Sequence, residues 1–214
     1  MSCVFLIPGL GADSRIYKNI HIEEYEVVYV NWLLPDLSDS LESYAQKLIS
    51  HYNITDNSIV IGNSLGGMLA VEIAKQVKLD KVILISSIKS VDEAPWYFPV
   101  FRRVPLNRAI PGKVFTSMGF MVKPLFGKMS ADEAWLFQDM LKNTSPVFAK
   151  WAMEAILKWT NRTIPENLYH ITGNKDTVFD YKRIKGAYIV EGGTHIMIFD
   201  KADEINLWLK NILN

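Results

Sequence analysis

Three residues far apart in the chain carry the types that nucleophilic acyl chemistry requires: Ser64, Asp176 and His195. Ser64 sits in Gly62-Asn63-Ser64-Leu65-Gly66, with Gly67 next. The apolar run SIVIG (58–62) precedes it, and LGGMLAVEIAKQV (65–77) follows at helical spacing. A serine between a strand and a helix needs a sharp turn, and small residues two positions either side let the backbones approach. Such a turn pushes the hydroxyl out at the strand's carboxyl edge and aims the helix N-terminus at the same point.

A serine hydroxyl needs a base to take its proton. Of the four histidines, His195 follows the last strand-like run, GAYIVEGGTH (186–195), at the edge where parallel sheets assemble sites. His21 and His51 read as surface residues, and His170, inside LYHITG (168–173), as a structural one. The base needs a carboxylate to fix its tautomer. Asp176, in NKDTVF just past that strand, fits best, with Asp180 as the alternative. Two amide donors must receive the oxyanion. The Leu65 N–H, straight after the nucleophile, is one; the other is expected from Pro8-Gly9-Leu10-Gly11, with Leu10 N–H the choice. Met68 and Met197 flank these positions and are candidates for lining a substrate pocket, core packing being the equal alternative.

These residues require strands that end together. CVFLI (3–7), YEVVYVNW (25–32), SIVIG, KVILISS (81–87), LYHITG and GAYIV read as strands, and their continuous apolar character fits a parallel sheet buried on both faces. Helical spacing appears in SLESYAQKLISHY (40–52), with Ser38 or Asp39 as its cap, and in ADEINLWLKNIL (202–213). The expected fold is α/β, a mostly parallel sheet of about six strands flanked by helices. Residues 1–90 and 161–214 form its core, and 91–160 a helical cap insertion without a convincing strand. Within 91–160, Ser130 and Glu133 have capping-box spacing, and Ser145-Pro146 marks a second helix start. Four of the six tryptophans and seven of the ten phenylalanines fall there, which suits an apolar substrate group although packing claims most of them. Arg102, Arg103 and Arg108 form a basic group, a solvated face in preference to an anion site.

Composition narrows the function classes. The chain has 214 residues, one domain's worth, with 23 basic and 23 acidic side chains. That balance argues against a nucleic-acid partner. No apolar window is long enough to cross a bilayer, so no membrane partner is expected. The single cysteine, Cys3, fits a reducing, cytoplasmic setting and reads as a strand-end residue. The N-terminal apolar run lacks preceding basic residues and reads as a strand, not a signal peptide.

LIPGLGADSRIY, VIGNSLGGMLA, HITGNKDTVF and GGTHIMIF, in that order, resemble the α/β-hydrolase superfamily over nearly the whole chain. The resemblance implies Ser64, Asp176 and His195 as a triad, a cap after the strand that follows the nucleophile, and neither cofactor nor metal. Three departures stand out. Pro8 occupies a position where relatives often have histidine, the relatives' first two antiparallel strands are absent, and only a short segment separates Asp176 from His195. A serine nucleophile sets the chain apart from relatives that attack with aspartate. The leading expectation is a serine hydrolase, carboxylesterase-like, that cleaves a small carboxylic ester or thioester through an acyl-enzyme. The alternatives are a hydroxynitrile-lyase-like lyase or acyltransferase using the same triad, or a catalytically silent small-molecule receptor.

Overall fold

The structure, a computed structural model, describes residues 3–103 and 129–214. Arg108 and the central part of the expected cap lie outside the described residues.

Six strands form one sheet: β1 (Cys3–Ile7), β2 (Glu26–Tyr29), β3 (Ile59–Asn63), β4 (Lys81–Ile85), β5 (Leu168–Gly173) and β6 (Tyr188–Val190). Their order is β2-β1-β3-β4-β5-β6 and every pairing is parallel. The order reverses between β1 and β3, so the loops leaving these two strands face each other across a crevice, the usual place for a ligand in an open α/β sheet. The expected six-stranded α/β fold is the observed one.

Seven helices cover the sheet among the described residues: α1 (Leu41–Tyr52), α2 (Leu65–Ala74), α3 (Phe98–Arg103), α4 (Ala131–Asn143), α5 (Pro146–Lys158), α6 (Met197–Asp200) and α7 (Ala202–Leu213). Alternate strand residues sort into two apolar clusters, as the period-two pleat requires. Phe5, Ile7, Val60, Val82 and Leu84 pack with α1, α2 and α5. Val4, Leu6, Ile59, Ile61, Ile83, Ile85 and Ile171 pack with α6, α7, part of α4 and the turn Ser14–Tyr17. Both faces are covered, which is why the strand sequences show no polar alternation.

The second half of the expected insertion forms the helices its caps announced. The Ser130 hydroxyl accepts from Glu133 N–H while Glu133 returns a bond to Ser130 N–H. Ser145 caps α5 ahead of Pro146. At α1 the cap is Ser40, reciprocally bonded to Ser43, and neither Ser38 nor Asp39. Asp39 instead accepts from Ser43 Oγ and pairs with Lys47. No helix among the described residues is long and apolar enough to cross a membrane.

Candidate active site

The nucleophile turn is built by backbone proximity. A Cβ on Gly62 would lie 2.2 Å from the carbonyl of Gly66, and one on Gly66 would lie 2.1 Å from the Ile7 oxygen. Glycine at both positions lets α2 start directly off β3. Ser64 pays for that turn with φ 52°, ψ −115°, a region a side chain rarely enters. Three bonds pin it: Ser64 N–H to Ile85 O at 3.0 Å, Asn63 Nδ2 to Ile85 O at 3.3 Å, and Ser87 Oγ to Ser64 O at 2.6 Å. Ser64 is the N-cap residue of α2, yet its hydroxyl does not cap the helix.

That hydroxyl points elsewhere. Ser64 Oγ lies 3.0 Å from His195 Nε2, and His195 Nδ1 lies 2.9 Å from Asp176 Oδ2. The other carboxylate oxygen of Asp176 accepts from the Val178 and Phe179 amides at 2.8 and 2.9 Å. With Asp176 an acceptor, the Nδ1 proton belongs to His195, which leaves Nε2 free to accept from Ser64. The Asp176 carboxylate is fully enclosed, whereas Ser64 stays partly exposed. The Phe179 ring meets the imidazole edge-on at 5.3 Å and walls one side.

The acid and base loops are held together by a glycine-on-glycine crossing. A Cβ on Gly173 would lie 2.0 Å from Gly193 O, and the Lys175 N–H donates to that same oxygen at 2.8 Å. Asn174 reaches across as well, accepting from Gly192 N–H at 2.8 Å and donating to Glu191 at 2.5 Å. Between acid and base lie the single turn Tyr181–Arg183 and the three-residue strand β6, with no longer helix, as the short spacing requires. Asp180 caps that turn through Lys182 N–H, and of the two aspartates it is Asp176 that meets His195.

The loop after β1 closes the other side. A Cβ on Gly9 would lie 3.2 Å from Ser64 Cβ, so Pro8–Gly11 rides directly over the serine. The Ala12 N–H to Gly9 O bond and Gly11 at φ 80° shape it. Leu65 opens α2, so its amide has no carbonyl of its own helix to bond. The Leu10 and Leu65 amides thus belong to two chain segments that meet at Ser64. Tyr17 braces this junction: its fully buried hydroxyl donates to Ile7 O at 2.6 Å, at the end of the strand that feeds the loop. Burial raises the Tyr17 phenol well above its ordinary range.

One expectation needs correction. Met68 and Met197 are fully buried, each in one of the two apolar clusters. The Met197 sulfur lies beneath Gly193, where it supports the turn into His195. Both are core residues, not pocket walls. Arg102 and Arg103 are exposed, as a solvated basic face requires, and Arg102 also donates to Leu157 O and Trp159 O at the end of α5. His21 and His51 are exposed as expected, and His170 is buried within β5. Cys3 begins β1, and burial, with the Glu26 charge second, raises its thiol. Ser87, Tyr97 and Asn174 support the site but gave no sequence signal, because their roles rest on contacts to residues distant in the chain.

A cavity of about 300 Å³ adjoins the loop after β1, walled by Ala12, Trp32, Leu33, Met140 and Phe148. A larger cleft, about 600 Å³, lies between α1, α2 and α5, and none of Ser64, His195 and Asp176 lines either space.

Comparison with known proteins agrees with this architecture. No curated protein matches the chain. Among solved structures, an enol-lactonase from Burkholderia xenovorans LB400 superposes with a TM-score of 0.76 at 17% identity, covering 99% of this chain and 91% of that one. A thermophilic esterase from Thermogutta terrifontis gives 0.72 at 18%, covering 99% and 90%. A hydrolase from Oleispira antarctica gives 0.72 at 15%, covering 100% and 92%. The profile of the alpha/beta hydrolase family matches residues 4–206, and the chain belongs to that family.

Proposed function

We propose that the protein is a serine hydrolase that cleaves a small carboxylic ester or thioester through an acyl-enzyme. The observation that carries this reading is the continuous hydrogen-bonded chain from Ser64 Oγ through His195 to the enclosed Asp176 carboxylate. In the first half-reaction His195 Nε2 takes the Ser64 proton as Oγ attacks the acyl carbon. The oxyanion forms between the Leu10 and Leu65 amides, and His195 returns the proton to the leaving alcohol or thiol. In the second, His195 takes a proton from water, water attacks the acyl carbon, and Ser64 leaves with the proton restored. Asp176 holds the ring in the tautomer that accepts from serine.

The apolar cavity beside the loop after β1 suits a small acyl or alcohol group, and helices α3 to α5, inserted between β4 and β5, serve as the cap. The shared fold with proteins described as an esterase and an enol-lactonase supports an ester-type substrate. The test is turnover of p-nitrophenyl acetate and butyrate by wild type and Ser64→Ala, with fluorophosphonate labelling alongside. The serine variant is expected to lose at least ~10⁴-fold in kcat and all labelling. Equal rates in the two proteins would remove Ser64 from the chemistry.

A further inference from the structure

Tyr97 lies in the insertion, far in sequence from the acid loop, yet its hydroxyl donates to Val178 O at 2.9 Å. Val178 is the residue whose amide, at 2.8 Å, holds Asp176 Oδ1. A single peptide segment is therefore gripped on one side by the carboxylate and on the other by the phenol. The two enter electrostatic contact as well: burial pushes the Tyr97 phenol up to about 12, with the Asp176 charge as the second cause.

The tyrosine is itself fixed from the far side. Tyr97 O accepts from Phe101 N–H and so begins α3. The Phe98 and Phe101 rings pack on it at 5.5 and 5.8 Å. From the same short helix, Arg102 donates to the carbonyls of Leu157 and Trp159 at the end of α5. A continuous path of contacts thus runs from α5 through Arg102, α3 and Tyr97 to the turn that presents Asp176.

We infer that Tyr97 is a positioning residue that aligns Asp176 with His195, so that the placement of the insertion sets the competence of the base. The inference rests on the hydrolase reading for its catalytic consequence, but not for its geometry. The Val178 and Phe179 amides that hold Asp176 Oδ1 belong to its own short loop. Beside the His195 bond and the Lys175 N–H to Gly193 O bond, the Tyr97 phenol anchors that loop to the insertion. A shift of the carboxylate by a fraction of an ångström weakens its bond to Nδ1 and lets the ring rotate away from Ser64.

The test is Tyr97→Phe, which keeps the ring and removes only the hydroxyl. On p-nitrophenyl butyrate, kcat is expected to fall roughly 10- to 100-fold with KM unchanged. In an Asp176→Asn background the same substitution is expected to add almost nothing, because its effect passes through that carboxylate. Proton NMR gives a readout independent of turnover: the downfield Nδ1–H signal expected of His195 in wild type should shift or broaden in Tyr97→Phe. An unchanged signal with unchanged kcat would overturn the inference, as would a loss that adds in full to Asp176→Asn. If Ser64→Ala and Asp176→Asn leave turnover intact, the hydrolase reading falls, while the NMR signal still decides whether Tyr97 positions Asp176.

Discussion

Ser64 holds a backbone conformation that costs a non-glycine residue ~1–3 kcal/mol, and it does so for the sake of where its oxygen points. An N-cap serine ordinarily turns its hydroxyl back onto its own helix. Here the positive φ swings the side chain away, and His195 takes the bond instead. Asp176 shows the same economy of placement. One oxygen is saturated by two amides, which leaves only the other for the imidazole. An asparagine at 176 would keep its oxygen on those amides and turn its NH₂ toward His195. Nδ1 would then have to accept, and the proton would move to Nε2, where it faces Ser64 and blocks proton abstraction. Asp176→Asn is therefore expected to lower kcat by about 10⁴-fold while thermal stability stays near that of wild type. Ester turnover and a melting curve on the same preparation check both halves.

At the scale of elements, the site is a consequence of how closely β1, β3 and α2 approach. Gly66 has no room for a side chain: its missing Cβ would sit 2.1 Å from Ile7 O, which is strand backbone and has nowhere to go. Gly66→Ala is expected to destabilise the fold by at least ~2 kcal/mol. For a chain of this size each kcal/mol lowers Tm by about 2–4 °C. Gly186, with nothing near it but φ 67°, should cost only about 1 kcal/mol on the same substitution. Differential scanning calorimetry of the pair separates collision from backbone preference. The elbow glycines, the six strands and the two capped insertion helices were legible in the sequence because each has a strong local cause. Buried parallel strands are continuous apolar runs, and caps use few residue types. The errors came where local cause is weak. All of Leu65–Ile73 in α2 is buried, so helical spacing could not say which way Met68 faces. Helices α3 and α6 have six and four residues, too short to show a period. Ser38, Asp39 and Ser40 are all competent caps, and only the final backbone chose Ser40.

Across the whole molecule, the sheet buries one titratable group that the proposed chemistry does not use. His170 is 3% exposed in β5, and its ring nitrogens have only the Ser87 backbone at hand among the described residues, outside good hydrogen-bond geometry. Burial first, then the Lys89 charge, lowers it to about 3 from its ordinary value near 6.5. Lys89 is itself buried and bound to Glu93 and to Lys185 O, so it stays in place to oppose a second positive charge. In the unfolded chain the same histidine takes a proton near pH 6.5. Between that pH and about 3 the unfolded state binds one more proton than the folded state, so stability rises with pH in this window. The contribution is complete above pH 6.5 and is lost as the pH falls, at up to about 1.4 kcal/mol per pH unit. His170→Leu removes both the proton and the two buried ring nitrogens. Denaturant midpoints at pH 7, 6, 5 and 4 are expected to fall steeply for wild type and with a slope one proton shallower for the variant. Parallel slopes would place the acid sensitivity of the fold elsewhere.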